Sequence, residues 1–150
     1  MTEGDVTEQK INGTKIIVKR VPGAELVAMN LYVRGGVRNW GAADAGVEDM
    51  ALSVASSGGT TKLDRDAFAR KLATMGSDLG SASGNDYGAL WAKSLKATSD
   101  ETFDMLCDAF LTPALPASEI DLRRQQMIAR LRHEEDSPDA LLGLMVHQTL

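Results

Sequence analysis

The chain has 150 residues, a formal net charge of −5, 43% apolar and 25% charged residues, one Cys and two His. That length suits one domain burying about 70% of the surface its unfolded chain would expose, and the apolar and charged fractions exclude wholesale disorder. The acidic balance argues against a nucleic-acid binder with a basic stripe, one Cys excludes an internal disulfide, and His133 and His147 are too few for a His-rich metal site.

In chain order, Ile11-Asn12-Gly13-Thr14 is a turn signal before the apolar run Ile16-Ile17-Val18. Pro22-Gly23 is a second turn. Residues 26–33 form a long apolar run, predicted to be a strand covered on at least one face and ended by Gly35-Gly36. Residues 45–57 read as a helix, with Val47, Met50, Ala51, Val54 and Ala55 at helical spacing. Asp64 is the expected N-cap of a helix through Met75, with Phe68 and Leu72 on one face and Gly76 as its C-terminal cap. Residues 79–83 and 87–96 are predicted to pair as strands around Gly84-Asn85-Asp86.

Thr98-x-x-Glu101 has the capping-box pattern, and Phe103, Leu106, Phe110 and Leu111 then mark a buried helical face. Pro113 and Pro116 close that helix. Ser118-x-x-Asp121 opens another, through Leu122, Met127, Ile128 and Leu131, and Ser137-Pro138 begins a last one. Its apolar residues run on to Leu150 without a cap, which suggests a truncated fold. Strand pairs separated by helix pairs are an α+β pattern. No stretch approaches 18 consecutive apolar residues, so no membrane-spanning helix is expected. The acidic start, Met1-Thr2-Glu3-Gly4-Asp5, is not a signal peptide. The expected compartment is the cytoplasm, or the periplasm if a signal was removed.

The glycine-rich spots, Gly35-Gly36 and Ser57-Gly58-Gly59-Thr60, match neither a phosphate-binding loop nor a dinucleotide fingerprint and read as turns. Gly80-Ser81-Ala82-Ser83-Gly84 has Ala at the centre, so it is no nucleophile elbow. Cys107 lies in an apolar helical pattern and reads as a buried structural thiol. His133-Glu134-Glu135-Asp136 reads as a solvated helix end, since useful ligands sit three or four residues apart. Trp40, Tyr87 and Trp91 lack interleaved basic residues and read as core or interface packing, not a base-stacking platform.

Taken together, the ordered residues resemble the N-terminal part of a pitrilysin/insulinase-type (inverzincin) zinc peptidase domain. Ile11-Asn12-Gly13 with Ile16-Ile17-Val18-Lys19 is similar to that family's first strands, and Leu31-Tyr32-Val33-Arg34-Gly35-Gly36-Val37-Arg38 to the strand before its active-site helix. Gly46-Val47 opens a stretch similar to the helix that carries His-x-x-Glu-His, and Gly59-Thr60 resembles the Gly-Thr that follows it. The helix from Phe68 to Gly76, the strand-pair residues Asp86-Tyr87 and Leu95, and Leu106-x-Asp108 with Pro113 and Asp136-Ser137-Pro138 match later landmarks in order.

The resemblance implies a metallopeptidase-like αβ roll, with an antiparallel or mixed sheet packed against helices, as one partial domain over residues 1–150. It also locates a zinc site without zinc ligands. The positions of His-x-x-Glu-His fall on Asp49, Leu52 and Ser53, no His occurs between Ala42 and Ala89, and the third ligand falls on Arg130. Catalytic zinc needs about three protein ligands and an open position for water. No catalytic residue and no metal are therefore expected, and Arg130 is expected to pair with Asp49. The implied role is that of a non-catalytic copy paired with an active zinc metallopeptidase subunit or domain around a chamber for unfolded peptide. Zinc then belongs to the partner. The alternatives are a structural or assembly subunit of the same fold, and an active zinc endopeptidase with ligands displaced to His133, Glu134 or His147.

Overall fold

A computed structural model describes residues 6–135. The expected helix from Ser137-Pro138, the apolar run to Leu150, Asp136 and His147 lie outside the described residues.

The first two strands, β1 (Val6–Ile11) and β2 (Thr14–Lys19), form an antiparallel hairpin. Asn12 and Gly13 join them with φ of 49° and 87°. Two successive positive φ values define the type I′ turn, whose twist matches that of the flanking strands. The sequence pattern marks β2 but not β1, because Val6 and Ile11 bracket four polar residues. The pairing comes from the turn.

The main sheet has the strand order β3–β5–β4, antiparallel throughout, with β3 at Leu26–Arg34, β4 at Asp78–Ser83 and β5 at Tyr87–Leu95. Along β3, partly buried Val27, Met29, Leu31 and Val33 alternate with exposed residues. This is the period of a strand covered on one face. Leu90, Ala92 and Ser94 of β5 point the same way and are almost fully buried. Among the described residues, four α-helices accompany the sheet: α1 (Val47–Ser57), α2 (Arg65–Met75), α3 (Ser99–Leu111) and α4 (Ala117–Glu135). Phe68, Leu72 and Met75 of α2, Met105, Leu106 and Ala109 of α3, and Leu90 and Ala92 of β5 form one core. Sheet and helices together make the expected α+β architecture.

Local chemistry explains where the helices begin and end. Asp64 caps α2 as expected, accepting a hydrogen bond from the Ala67 N–H at 2.8 Å. Gly76 ends it with φ of 63°, its N–H donating to the Ala73 carbonyl while the Ser77 N–H donates back to Leu72 at 3.0 Å. That is the Schellman arrangement, which needs a left-handed residue.

Three expectations are corrected. The capping box at Thr98 does not form. The Thr98 hydroxyl donates to the Met75 carbonyl at 3.1 Å, and Glu101 pairs with Lys71 at 2.8 Å, so both members are drawn to α2. The buried arc of α3 is Thr102, Met105, Leu106 and Ala109, whereas Phe103 and Leu111 are 47% and 73% exposed. Small Thr102 and Ala109 give α3 a close approach to its neighbours. The Thr102 hydroxyl is satisfied by Ser77 at 2.7 Å and by the Thr98 carbonyl at 2.8 Å. On α1, Val47 and Ala51 face solvent, and Glu48 and Leu52 turn inward instead.

Trp40, Tyr87 and Trp91 are not in the core. Tyr32 and Tyr87 meet edge-to-face on the outer face of the sheet, with ring centroids 5.5 Å apart. Trp91 lies on that face over Gly80, where a Cβ would come within 2.3 Å of the ring, and the Lys93 ammonium sits 5.2 Å from the ring centroid.

Truncating Leu106 to Ala should cost about 2–5 kcal/mol in urea unfolding, the range for a fully buried Leu, while Phe103→Ala on the same helix should cost under about 1 kcal/mol. Equal losses would contradict the assigned helix face.

Candidate functional site

The first turn of α1 is fixed by a carboxylate bracket. One Glu48 oxygen accepts a hydrogen bond from the Gly36 N–H at 2.8 Å and the other from the same N–H at 3.0 Å; the first also accepts from the Trp40 indole N–H at 2.8 Å. Gly35 and Gly88 make room for it: a Cβ at either would come within 2.8 Å of a Glu48 oxygen. Gly36 has φ of 89°, a conformation that L side chains rarely adopt. The Val37 N–H donates to the Gly84 carbonyl at 3.0 Å and the Arg38 N–H to the Asn85 carbonyl at 3.2 Å. The loop after β3 is thus tied to the β4–β5 turn and, through Glu48, to α1. Two carboxylates in the first turn, Glu48 and Asp49, also sit favourably at the positive end of the helix dipole.

This bracket presents Asp49 to a cleft between α1 and α4 of about 450 Å³. Arg123, Gln126, Met127 and Arg130 line it from α4. Arg123 and Arg130 are seven residues apart, close to two helical turns, so both reach one face. The Asp49 carboxylate lies 3.6 Å from the Arg123 guanidinium, an ion pair too long for a hydrogen bond. Ser53 opens onto a neighbouring polar pocket of about 140 Å³, which also touches Arg123 and Gln126. Leu52 turns the other way and packs against the hydrophobic core and over Gly88.

The structure therefore brings Asp49, Ser53 and Arg130 to one helix–helix groove and takes Leu52 out of it. Arg123 and Glu48 are additions that sequence reasoning missed. The spacing of Arg123, Gln126 and Arg130 was the available signal for the first. Nothing in the sequence marks Glu48, because its partners come from a loop and a tight turn. His133 is exposed in the last turn of α4.

These residues do not suit zinc. Asp49 offers one good ligand, Ser53 is a poor one at neutral pH, and two guanidinium groups line the cavity that a dication would enter. Among the described residues no three His, Cys, Asp or Glu side chains converge as a metal-binding group. Among the same residues no helix is long and apolar enough to cross a membrane.

Cys107 is half-buried rather than buried. Burial pushes its thiol above the ordinary range, and Asp104 and Asp108 push it further, so the nucleophilic thiolate is disfavoured.

A one-sided antiparallel sheet, a helix braced at its first turn, and a groove against a later helix make up the candidate site. Residues 15–150 match the family model for Insulinase (Peptidase family M16), and the chain belongs to that family. It is 23% identical over 131 residues to a protein of Rickettsia felis called an uncharacterized zinc protease, covering 87% of this chain and 32% of that protein. A protein of Bacillus subtilis, also called an uncharacterized zinc protease, is 21% identical over 131 residues, again covering 87% and 32%. Among solved structures, a protease from Helicobacter pylori superposes with a TM-score of 0.80 at 16% identity, over 93% of this chain and 34% of that one. A peptidase M16 inactive domain from Pseudomonas fluorescens superposes with a TM-score of 0.79 at 18% identity, over 94% and 34%. The chain thus spans about a third of the length of the proteins it matches.

Glu48→Ala should lower stability by about 1–3 kcal/mol, since it leaves two donors without their acceptor, and should change Trp40 fluorescence. Asp49→Ala should cost under about 1 kcal/mol, as for a partly exposed ion pair. Iodoacetamide should label Cys107 more slowly in the folded chain than in urea. That gap should narrow as the pH rises beyond the ordinary thiol range, because deprotonation then no longer limits the folded form.

Proposed function

We propose that this chain is a non-catalytic, pseudo-peptidase form of the family's domain. It pairs with an active zinc metallopeptidase copy, in the same or another chain, and helps shape a chamber that holds unfolded peptide. The observation that carries this reading is the chemistry at the positions of the resembled zinc motif: Asp49 and Ser53 open toward Arg123, Arg130 shares the cavity with Asp49, and Leu52 is turned away into the core. Leu52 has no titratable group and packs into the core, so it cannot activate water. The likeness to a domain described as inactive in Pseudomonas fluorescens supports the same reading. Extended peptide has a physical means of attachment in main-chain pairing at the edges of the sheet, which among the described residues are β3 and β4.

The test combines metal analysis with reconstitution. Purified chain should hold far less than one zinc and cleave no unfolded peptide. It should co-purify with a family copy that carries an intact His-x-x-Glu-His and raise that copy's activity on unfolded peptide. About one tightly bound zinc per chain, as a closed or catalytic site would hold, would overturn the reading in favour of displaced ligands. Stable assembly with a partner but no effect on peptide binding or cleavage would assign a structural role instead.

A further inference from the structure

We propose that the α1–α4 cleft is a binding site for a monocarboxylate carried on an apolar group, with Arg123 as the residue that grips it. The proposal depends neither on the absence of peptidase activity nor on a partner.

The argument starts with an unsatisfied donor. The Arg123 Nε is buried and makes no hydrogen bond. Buried polar groups in native proteins are nearly always paired, so an orphan beside a cavity points to something that occupies the cavity. The rest of the guanidinium is weakly engaged, since Nη2 stands 3.6 Å from the Asp49 carboxylate. An arginine has five donors in a planar fork, and a carboxylate accepts two of them side by side. The side chain is about one-third exposed. It is thus partly shielded from water, where a charge-assisted pair is stronger, yet reachable by a ligand.

The cavity selects the rest of the ligand. About 450 Å³ lies within the range of small-molecule pockets, which are mostly apolar with a few placed polar groups. Met127 and Leu131 supply apolar wall on α4, and Gly46, the residue before α1, lies against the Met127 methyl, which a Cβ there would approach to 3.1 Å. Asp49 sets the geometry, because a monocarboxylate has the same charge and shape as its side chain and can replace it at the Arg123 guanidinium. Asp49 would then remain in the first turn of α1, where the helix dipole favours it. Asp49 is therefore a competitor for Arg123, which gives the proposal a signature that a simple apolar pocket lacks. Two sources carry this chemistry: a free organic acid, and the C-terminal residue of a peptide.

The test is NMR titration of the full chain, following the arginine Nε–Hε signals. The probes are 3-phenylpropionate, its primary amide, and acetyl-Ala-Ala-Phe with a free or an amidated C-terminus. The acid is expected to shift the Arg123 Nε–Hε signal, and its amide is expected to bind about tenfold more weakly or worse, the worth of a charge-assisted hydrogen bond. Arg123→Gln should abolish that difference, and Asp49→Asn should tighten acid binding by about threefold, the scale of a partly exposed ion pair. Binding of the free-acid peptide would name a peptide C-terminus as the source, and binding of 3-phenylpropionate alone would name a small acid. Equal binding of acid and amide, an unmoved Arg123 signal, or no tightening in Asp49→Asn would overturn the proposal. The Asp49→Asn arm and the direct Arg123 signal stand even if Arg123→Gln fails to fold.

Discussion

The structure depends on burying one face of β5. This strand is hydrogen-bonded on both sides, to β3 and to β4, so its backbone is satisfied before any side chain is considered. Its inward residues, Leu90, Ala92 and Ser94, then have nowhere to go but against helices. Phe68 of α2 and Leu106 of α3 close over them, and both are almost fully buried. The small residues in this layer matter as much as the large ones. Ala92 on the strand and Ala109 on the helix set how closely the layers approach, and dense packing punishes any change in that spacing. α1 and α3 lie against the sheet, and α2 adds Phe68, Leu72 and Met75 to the same core.

Glycine at the end of this sheet turns packing into site geometry. Gly35 and Gly88 leave a space that the Glu48 carboxylate fills, and Gly36 supplies the N–H it needs. A charged side chain is accommodated beside the core because its oxygens are met by the backbone and by Trp40. The consequence reaches one residue further along α1. With Glu48 turned inward, Asp49 is turned toward α4, and Ser53 follows it one helical turn later. The groove thus inherits its direction from a bracket that is not part of it.

The net charge of −5 describes the molecule as a whole, whereas the α4 side of this cavity carries two arginines, Arg123 and Arg130, and Arg123 stands 3.6 Å from Asp49 across it. The core residues, from Phe68 to Leu106, lie outside this groove, so its side chains can vary without disturbing the packing.

What the sequence by itself determined is local and periodic. The alternation along β3, the Asp64 cap and Gly76 stop of α2, and the Asn12-Gly13 turn depend on residues within a few positions of one another. The landmarks in chain order were enough to reach the family, and the absence of His near Asp49 was plain from composition. What only the tertiary structure decided rests on contacts between distant segments. Phe103 and Leu106 are equally apolar, and only the position of β5 buries one and exposes the other. Thr98 and Glu101 spell a capping box, but α2 offers each a better partner. Val47 and Glu48 exchange their expected environments because three glycines and a tryptophan wait at the sheet's end. Asp49 meets Arg123 because α4, more than 70 residues later, packs beside α1. Periodicity ranks faces by hydrophobicity; which face is buried is set by the shape and hydrogen-bonding needs of what packs against it.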